Sequence, residues 1–164
     1  MERMNTRSHD SDHCIVTWDR VIIQVWRFAT TREAIADLEL ISRAFIAEQR
    51  TRKICSVSIV EHTSPPPGEL VRGHLSRFYR ELAPSVHEAV IVPEGGGFRA
   101  AMVRGVGVAL STLAPRSLSF KFADSVRSAA DVVGPHLSPT AGGAMALEAA
   151  IEEARTLAGV TERR

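Results

Sequence analysis

The sequence predicts a single α/β domain in which helices cover a mostly parallel sheet of four or five strands, with one extra helix at the C-terminus. The first observation is length, because 164 residues is the size of one domain. The second is pattern, since short apolar runs rich in β-branched residues alternate with longer segments of helical periodicity. The third is composition: 45% of the residues are hydrophobic and 24% are charged, so a core can form without a metal or disulfides.

The charge balance and the cysteines argue against several classes of protein. Twenty Lys and Arg residues against nineteen Asp and Glu residues leave a net charge of +1, so no nucleic-acid partner is predicted. The uncharged stretch between Arg104 and Arg116 is shorter than the roughly 20 residues that cross a bilayer as a helix. Cys14 and Cys55 lack metal-ligand spacing, and the polar N-terminus lacks an apolar signal segment. We expect a cytoplasmic protein with no membrane span, no metal and no cofactor.

The first half of the chain begins with a polar segment that predicts a disordered tail over residues 1–13. Its HDSDH run has metal-ligating side chains, but a flexible tail gives them no fixed geometry. The apolar runs that follow are typical of strands, and Thr30 with Glu33 forms a T-x-x-E capping box at the start of a helix. The predicted elements of this half are strands near 14–18 and 21–28, a helix at 31–49, a strand at 54–60 and a helix at 67–82.

The second half continues the alternation of strands and helices. Three glycines follow a short apolar strand and lead into an apolar helix that Pro115 ends. Asp124 or Ser125 caps the next helix, and Gly134 followed by proline ends it. The predicted elements of this half are a strand at 89–92, a helix at 98–114, a strand at 117–123, and helices at 126–133 and 143–158. The predicted core consists of Ile22, Val25, Leu38, Phe45, Ile54, Val57, Leu75, Phe78, Val90, Val92, Met102, Leu110 and Phe120.

The last helix carries a narrow apolar stripe of Ala144, Leu147, Ile151 and Ala154. Such a stripe needs cover, and a Gly- and Pro-containing linker lets the helix dock either on its own domain or on a second copy of the chain. The predicted division is a disordered tail at 1–13, the α/β domain at 14–134, a linker at 135–142, and an accessory helix and tail at 143–164.

A run of residues in the second half supports a family resemblance. Pro93, Glu94, Phe98, Arg99, Ala101, Arg104 and Leu110 form this run. Together with the element order over residues 14–134, it resembles the STAS-like domains related to bacterial anti-sigma-factor antagonists. The resemblance covers about three quarters of the chain and is one of pattern more than of signature residues. It implies a bacterial, cytoplasmic and non-enzymatic regulatory module that docks to a protein partner or to itself.

The same resemblance points to a phosphorylation site. The phosphorylatable members carry a D-S-x-G type motif after the third strand, and the matching segment here contains Thr63 and Ser64. A phosphate at either hydroxyl would meet the unpaired N–H groups at a helix N-terminus. The aspartate and glycine of the motif are missing, so an ordinary turn or N-cap role for Ser64 is the competing interpretation.

The triple-glycine turn is a candidate anion site. Gly95, Gly96 and Gly97 join a strand to a helix, where backbone N–H groups are exposed. Arg99 and Arg104 follow in that helix and add positive charge. This arrangement predicts a small-molecule or anion-binding domain as the first alternative to a regulatory module, although glycines also form ordinary turns.

A hydrolytic enzyme is the second alternative. Glu61 and His62 follow a buried strand, at the end where α/β enzymes often place acid–base pairs. No nucleophile in a recognisable strand–turn–helix elbow accompanies them, so we assign no catalytic residue and predict that the protein is not an enzyme.

Overall fold

The computed structural model describes residues 4–97, 101–106, 108, 118 and 120–158. Within these ranges six strands form one sheet whose spatial order follows the sequence from β1 to β6. The first two pairings are antiparallel and the other three are parallel. The predicted α/β class with a mostly parallel sheet is therefore confirmed, with a slightly higher strand count. The strands are β1 (Asn5–His9), β2 (His13–Trp18), β3 (Val21–Trp26), β4 (Ile54–Val60), β5 (Val86–Pro93) and β6 (Phe120–Phe122).

Strand β1 lies within the segment predicted to be a disordered tail, and that prediction is wrong for residues 5–9. β1 is an edge strand whose residues are exposed or half-buried, so it carries polar side chains without an apolar signature. Arg7 Nε donates to Thr17 Oγ1 on β2 at 3.0 Å, and the same guanidinium pairs with Glu48 at 2.9 Å. Ladder pairing and polar contacts thus order a segment that has no hydrophobic periodicity.

Four of the five predicted helices begin and end close to the predicted residues, and most of the fifth, at 98–114, lies outside the described residues. Thr31, one residue after the predicted cap Thr30, accepts a hydrogen bond from the Ala34 N–H at 3.1 Å. Ser125, one of the two predicted caps, accepts from the Ser128 N–H at 3.1 Å. In the described ranges no helix has the length and apolar character needed to cross a membrane. The helices are α1 (Arg32–Gln49), α2 (Glu69–Leu82), α3 (Val126–Val133) and α4 (Gly143–Leu157), together with a helical segment at 101–106.

The sheet buries both faces because successive strand residues point to opposite sides. We call the face that packs against α1 and α2 the front face; Ile22 and Ile54 lie on it. The back face packs against α3 and α4 and carries Ile23, Val57 and Val90. The predicted core residues are buried, except that Met102 and Phe120 are half-buried and Leu110 lies outside the described residues.

Helix α4 completes the back face of its own sheet, so its description as an accessory element is corrected. Leu147, Ile151 and Ala154 are each 0% exposed and belong to the same apolar cluster as β2 and β3. The preceding residues, predicted to be a linker, are also fixed in place: Ala141 is buried, and the Ser138 N–H donates to Asp19 Oδ2 at 2.8 Å. The small alanines of the stripe let the helix backbone approach the sheet closely, which explains why a narrow stripe is sufficient.

Candidate functional site

A cavity of about 70 Å³ opens on the front face, at the carboxyl ends of the parallel strands. Ligands of open α/β sheets generally bind at this edge. Its apolar walls come from the sheet, from α2 and from the helical segment at 101–106. Every described residue that lines the cavity is uncharged. The apolar wall residues from these elements are Trp26, Val60, Ile91, Leu75, Val103 and Val106.

A hydrogen-bonded group of polar side chains lies at the base of this cavity. We call Gln24, Trp26, Ser56, Ser58 and Tyr79 the polar cluster; all five are buried. All of them except Ser56 line the cavity. Gln24 Nε2 donates to Ser56 Oγ at 2.9 Å, and Gln24 Oε1 accepts from Ser58 Oγ at 3.3 Å. The Trp26 indole N–H donates to Ser58 Oγ at 3.1 Å. Strands β3 and β4 thus present a connected polar surface in the middle of an otherwise apolar face.

Tyr79 brings a hydroxyl group from α2 to the same cluster. Burial raises the pKa of Tyr79 above its ordinary value, although hydrogen bonding to Ser56, Gln24 and Ser58 acts in the opposite direction. Tyr79 therefore stays protonated at neutral pH, and the polar cluster carries no net charge.

Three consecutive prolines form another wall of the cavity. Pro65, Pro66 and Pro67 have fixed φ angles and no N–H groups, so they present a stiff surface without an unsatisfied donor. Ser64 anchors this proline loop: its hydroxyl donates to the Phe28 carbonyl at 2.9 Å, and its N–H donates to the Glu61 carbonyl at 2.9 Å.

The two predicted phosphoacceptors have structural partners in this loop. The Ser64 side chain is buried at 1% exposure, and the hydroxyl of the exposed Thr63 donates to the Arg27 carbonyl. A phosphate on Ser64 would have to displace the bond to Phe28 and leave the protein interior. The geometry favours the turn role over the regulatory one, and we expect that phosphorylation of Ser64 or Thr63 is not the main switch of this protein.

Glu61 belongs to a group of four ionic side chains, the ion cluster of Arg27, Glu61, Glu94 and Arg155. Arg27 binds the Glu61 carboxylate with both arms of its guanidinium, at 2.7 and 3.1 Å. Arg155 on α4 lies 3.4 Å from Glu61 Oε1 and 2.8 Å from Glu94 Oε1. The ion cluster therefore fastens the last turn of α4 to the carboxyl ends of β3, β4 and β5.

This pairing determines the chemistry open to Glu61. Burial alone would raise the pKa of Glu61, but hydrogen bonds and positive charge from Arg27, together with Arg155, outweigh it and lower the pKa below its ordinary value. A carboxylate held in this way is a weak base and remains ionised at neutral pH. His62, the other half of the predicted pair, is exposed. The contacts of Glu61 therefore indicate a structural role, and they do not support the hydrolytic role considered for Glu61 and His62.

The described residues of the predicted anion site have other structural roles. Gly95 and Gly97 adopt φ angles of 94° and 62°, which favour glycine and indicate turn chemistry. The turn directly follows the Glu94 carboxylate, which opposes binding of an anion. Arg104 pairs with Asp124 at 3.0 Å, and Arg99 lies outside the described residues.

A Ser–His–Asp arrangement occurs in the hairpin of β1 and β2. His13 Nε2 lies 3.3 Å from Ser8 Oγ, and His13 Nδ1 lies 3.0 Å from Asp10 Oδ1, as in serine hydrolases. The Ser8 hydroxyl, however, donates a hydrogen bond to Asp37 Oδ2 at 3.3 Å and so is not directed at His13 as a nucleophile's hydroxyl would be. Asp10 Oδ1 also accepts from the N–H groups of Asp12 and His13, as expected of a residue that closes a tight turn. Hairpin structure accounts for the arrangement.

A second depression of about 220 Å³ lies between α1 and α2. The Arg43–Glu81 ion pair, 2.8 Å long and exposed on both sides, lies at its margin. The lining residues of the depression come from α1, α2 and Ser85, with none from the sheet. The front-face cavity is the stronger candidate because apolar walls there surround buried hydrogen-bonding groups, the usual composition of a small-molecule site.

No family model, curated protein or solved structure matches this chain. The resemblance to STAS-like domains therefore remains one of sequence pattern and element order. The polar cluster was also not predicted from the sequence, although the sequence contains a signal for it. Two otherwise apolar strands carry polar residues at alternate positions, which all point to the same face of the sheet: Gln24, Ser56 and Ser58.

Proposed function

We propose that this chain is a non-enzymatic regulatory module of the STAS-like type that binds a small molecule in the front-face cavity. The observation that carries the proposal is the composition of the cavity, with uncharged apolar walls above a buried polar cluster. Apolar walls supply affinity by removing ligand surface from water, and a few fixed polar groups supply orientation.

The neighbouring ionic groups support binding in preference to catalysis. Glu61 is held ionised by two arginines, and the Ser64 hydroxyl is bonded to a backbone carbonyl. Neither group is poised as a base or a nucleophile, which would require a pKa near neutrality or an adjacent activating base.

The indole N–H resonances of the two tryptophans test the proposal by NMR. Trp26 lines the cavity, whereas Trp18 belongs to the back-face cluster and serves as an internal control. On titration with toluene or phenol we expect the Trp26 signal to shift and the Trp18 signal to stay. Val103→Phe, which fills the cavity, abolishes the shift, and Leu70→Phe, at a residue 73% exposed, preserves it. An unmoved Trp26 signal with both probes overturns the proposal.

A protein partner is the second part of the proposed function, and exposed apolar side chains favour it. Phe28 is 44% exposed and Leu70 is 73% exposed, and they precede and follow the exposed Pro65 and Pro66 in the chain. A ligand beneath the proline loop would act on this same region. Light scattering of the purified chain and of a Phe28→Ser, Leu70→Ser variant tests self-association. If the wild type is a dimer and the variant is a monomer, self-association through this region is supported. If both proteins are monomers, a second copy of the chain is excluded as the partner.

A further inference from the structure

We infer that the ligand of the front-face cavity is a small neutral molecule with an apolar body and a hydroxyl group that donates a hydrogen bond to the polar cluster, as in a phenol or an alcohol. This inference rests on the proposed binding function and adds the chemical class of the ligand.

The charge of the ligand follows from the lining of the cavity. Among the described residues, its walls hold no ionised side chain, and Tyr79 is kept protonated by burial. Glu61, which lies at the same edge of the sheet, is already paired with Arg27 and Arg155. A charged ligand would lose its hydration without gaining a counter-ion, which is strongly unfavourable. The cavity therefore selects a neutral molecule.

The polar group of the ligand follows from the hydrogen-bonding capacity of the cluster. Each hydroxyl group of Ser56, Ser58 and Tyr79 donates one hydrogen bond and accepts two, and the Gln24 amide donates two and accepts two. The Trp26 indole adds a single donor. Acceptor sites therefore outnumber donors, so some remain open even when every donor is used within the cluster. A ligand that donates a hydrogen bond complements this excess, whereas a ligand that only accepts does not.

The size of the ligand follows from the volume and from the walls. One water needs roughly 10–15 Å³ of such space, so a cavity of about 70 Å³ holds roughly five to seven non-hydrogen atoms. The proline loop forms a stiff wall, so binding requires little ordering of the protein on that side. A single aromatic or alicyclic ring with one hydroxyl group fits these limits.

Four probes of similar size separate the features of this inference in the unmodified protein. Phenol is neutral and donates, pyridine is neutral and accepts, toluene has no polar group, and cyclohexylammonium is charged; none has more than seven non-hydrogen atoms. Dissociation constants come from the Trp26 indole shift at neutral pH. We expect phenol to bind about tenfold more tightly than toluene, which is the effect of one buried hydrogen bond. We expect pyridine to bind more weakly than phenol, and cyclohexylammonium to leave the signal unmoved.

Any other result contradicts one part of the inference: the donor requirement, the neutral class or the binding function itself. Toluene or pyridine binding as tightly as phenol overturns the donor requirement and leaves the proposed binding function intact. Cyclohexylammonium binding as tightly as phenol, or more tightly, overturns the neutral class. If none of the four probes moves the Trp26 signal, the proposed function fails, and the inference fails with it.

Two variants test whether the polar cluster is the partner of the hydroxyl group. Ser58→Ala and Tyr79→Phe each remove one hydroxyl and keep most of the side-chain volume. We expect both to reduce the preference for phenol over toluene several-fold. Ser42→Ala is the matched control, because Ser42 is buried on α1 and does not line the cavity. If both cavity variants keep the wild-type preference for phenol over toluene, the polar cluster is not the partner of the hydroxyl group. Near-UV circular dichroism verifies that each variant is folded. The four probes applied to the unmodified protein decide the ligand class without any variant.

Discussion

Replacing Ile151 with alanine tests whether α4 belongs to the core of its own chain. The Ile151 side chain is 0% exposed and packs in the back-face cluster with residues of the sheet and of α3. Removing a fully buried isoleucine side chain to its Cβ costs the transfer free energy of the lost methyl and methylene groups and leaves a cavity. The sum is typically about 2–5 kcal/mol. We expect about 3 kcal/mol, because strands β2 and β3 form a rigid floor beneath the helix and cannot collapse into the space.

Urea unfolding followed by tryptophan fluorescence and far-UV circular dichroism measures this loss, and thermal melts measure it independently. In a domain of this size 1 kcal/mol shifts Tm by about 2–4 °C, so Ile151→Ala should lower Tm by roughly 6–12 °C. The matched control is Met145→Ala on the same helix, where the side chain is 81% exposed. We expect that substitution to change the stability by less than about 0.5 kcal/mol.

Protein concentration distinguishes packing within one chain from packing between two copies. The Phe28→Ser, Leu70→Ser variant serves as the background, because it removes the other proposed contact between copies. If α4 packs on its own sheet, the urea midpoint of this variant is independent of protein concentration; if α4 packs on a second copy, the midpoint rises with concentration. An Ile151→Ala variant within about 1 kcal/mol of the wild type, or a midpoint in that background that depends on concentration, would refute the placement of α4 described above.

Three further predictions concern Glu61, the two cysteines, and the hydroxyl groups of Ser64 and Thr63. Glu61→Gln should destabilise the protein by about 2 kcal/mol at pH 7, whereas Glu153→Gln, at an exposed residue on α4, should not. The folded-state pKa of Glu61 lies below its ordinary value of 4.5, so the stability that Glu61 contributes is present above pH 4.5 and is lost as the pH falls through the lowered pKa. The free energy of unfolding, measured with urea, should therefore depend less on pH across this range in Glu61→Gln than in the wild type. Burial raises the pKa of Cys14 and of Cys55 to about 12, so a thiol reagent at pH 8 should label neither until the protein unfolds. We expect mass spectrometry of the protein from its own host to find no stoichiometric phosphate on Ser64 or Thr63, and such phosphate would instead support the antagonist-like mechanism.

The sequence predicts best those elements whose periodicity agrees with their final environment. Strand β4 is an uninterrupted apolar run at 54–60, and a strand buried on both faces requires such a run. Helix α1 has a polar cap and an apolar stripe, and both signals identify its start within one residue. In these elements local propensity and tertiary burial act in the same direction.

The prediction fails where long-range contacts override the local signal. Strand β1 has no apolar pattern, because it lies at an edge and its contacts with Thr17 and Glu48 are polar. Arg155 is one of many arginines in the sequence, and only the fold brings it to Glu61 and Glu94 from more than sixty residues away. The front-face cavity likewise forms only where four separate stretches of chain meet, namely 24–30, 58–79, Ile91 and 103–106, and no single window of sequence contains it.

The two faces of strands β3 and β4 show why the polar cluster is informative. On the back face Ile23 and Val57 pack against α3 and α4 in a fully apolar layer. On the front face of the same strands, Gln24 and Ser58 occupy equivalent buried positions. Apolar side chains of similar shape there would be as stable or more stable, because buried polar groups only partly recover their hydration through internal hydrogen bonds. The requirements of folding alone therefore do not explain why this chain buries an amide and hydroxyl groups beneath a cavity, whereas recognition of a ligand that carries its own polar group does.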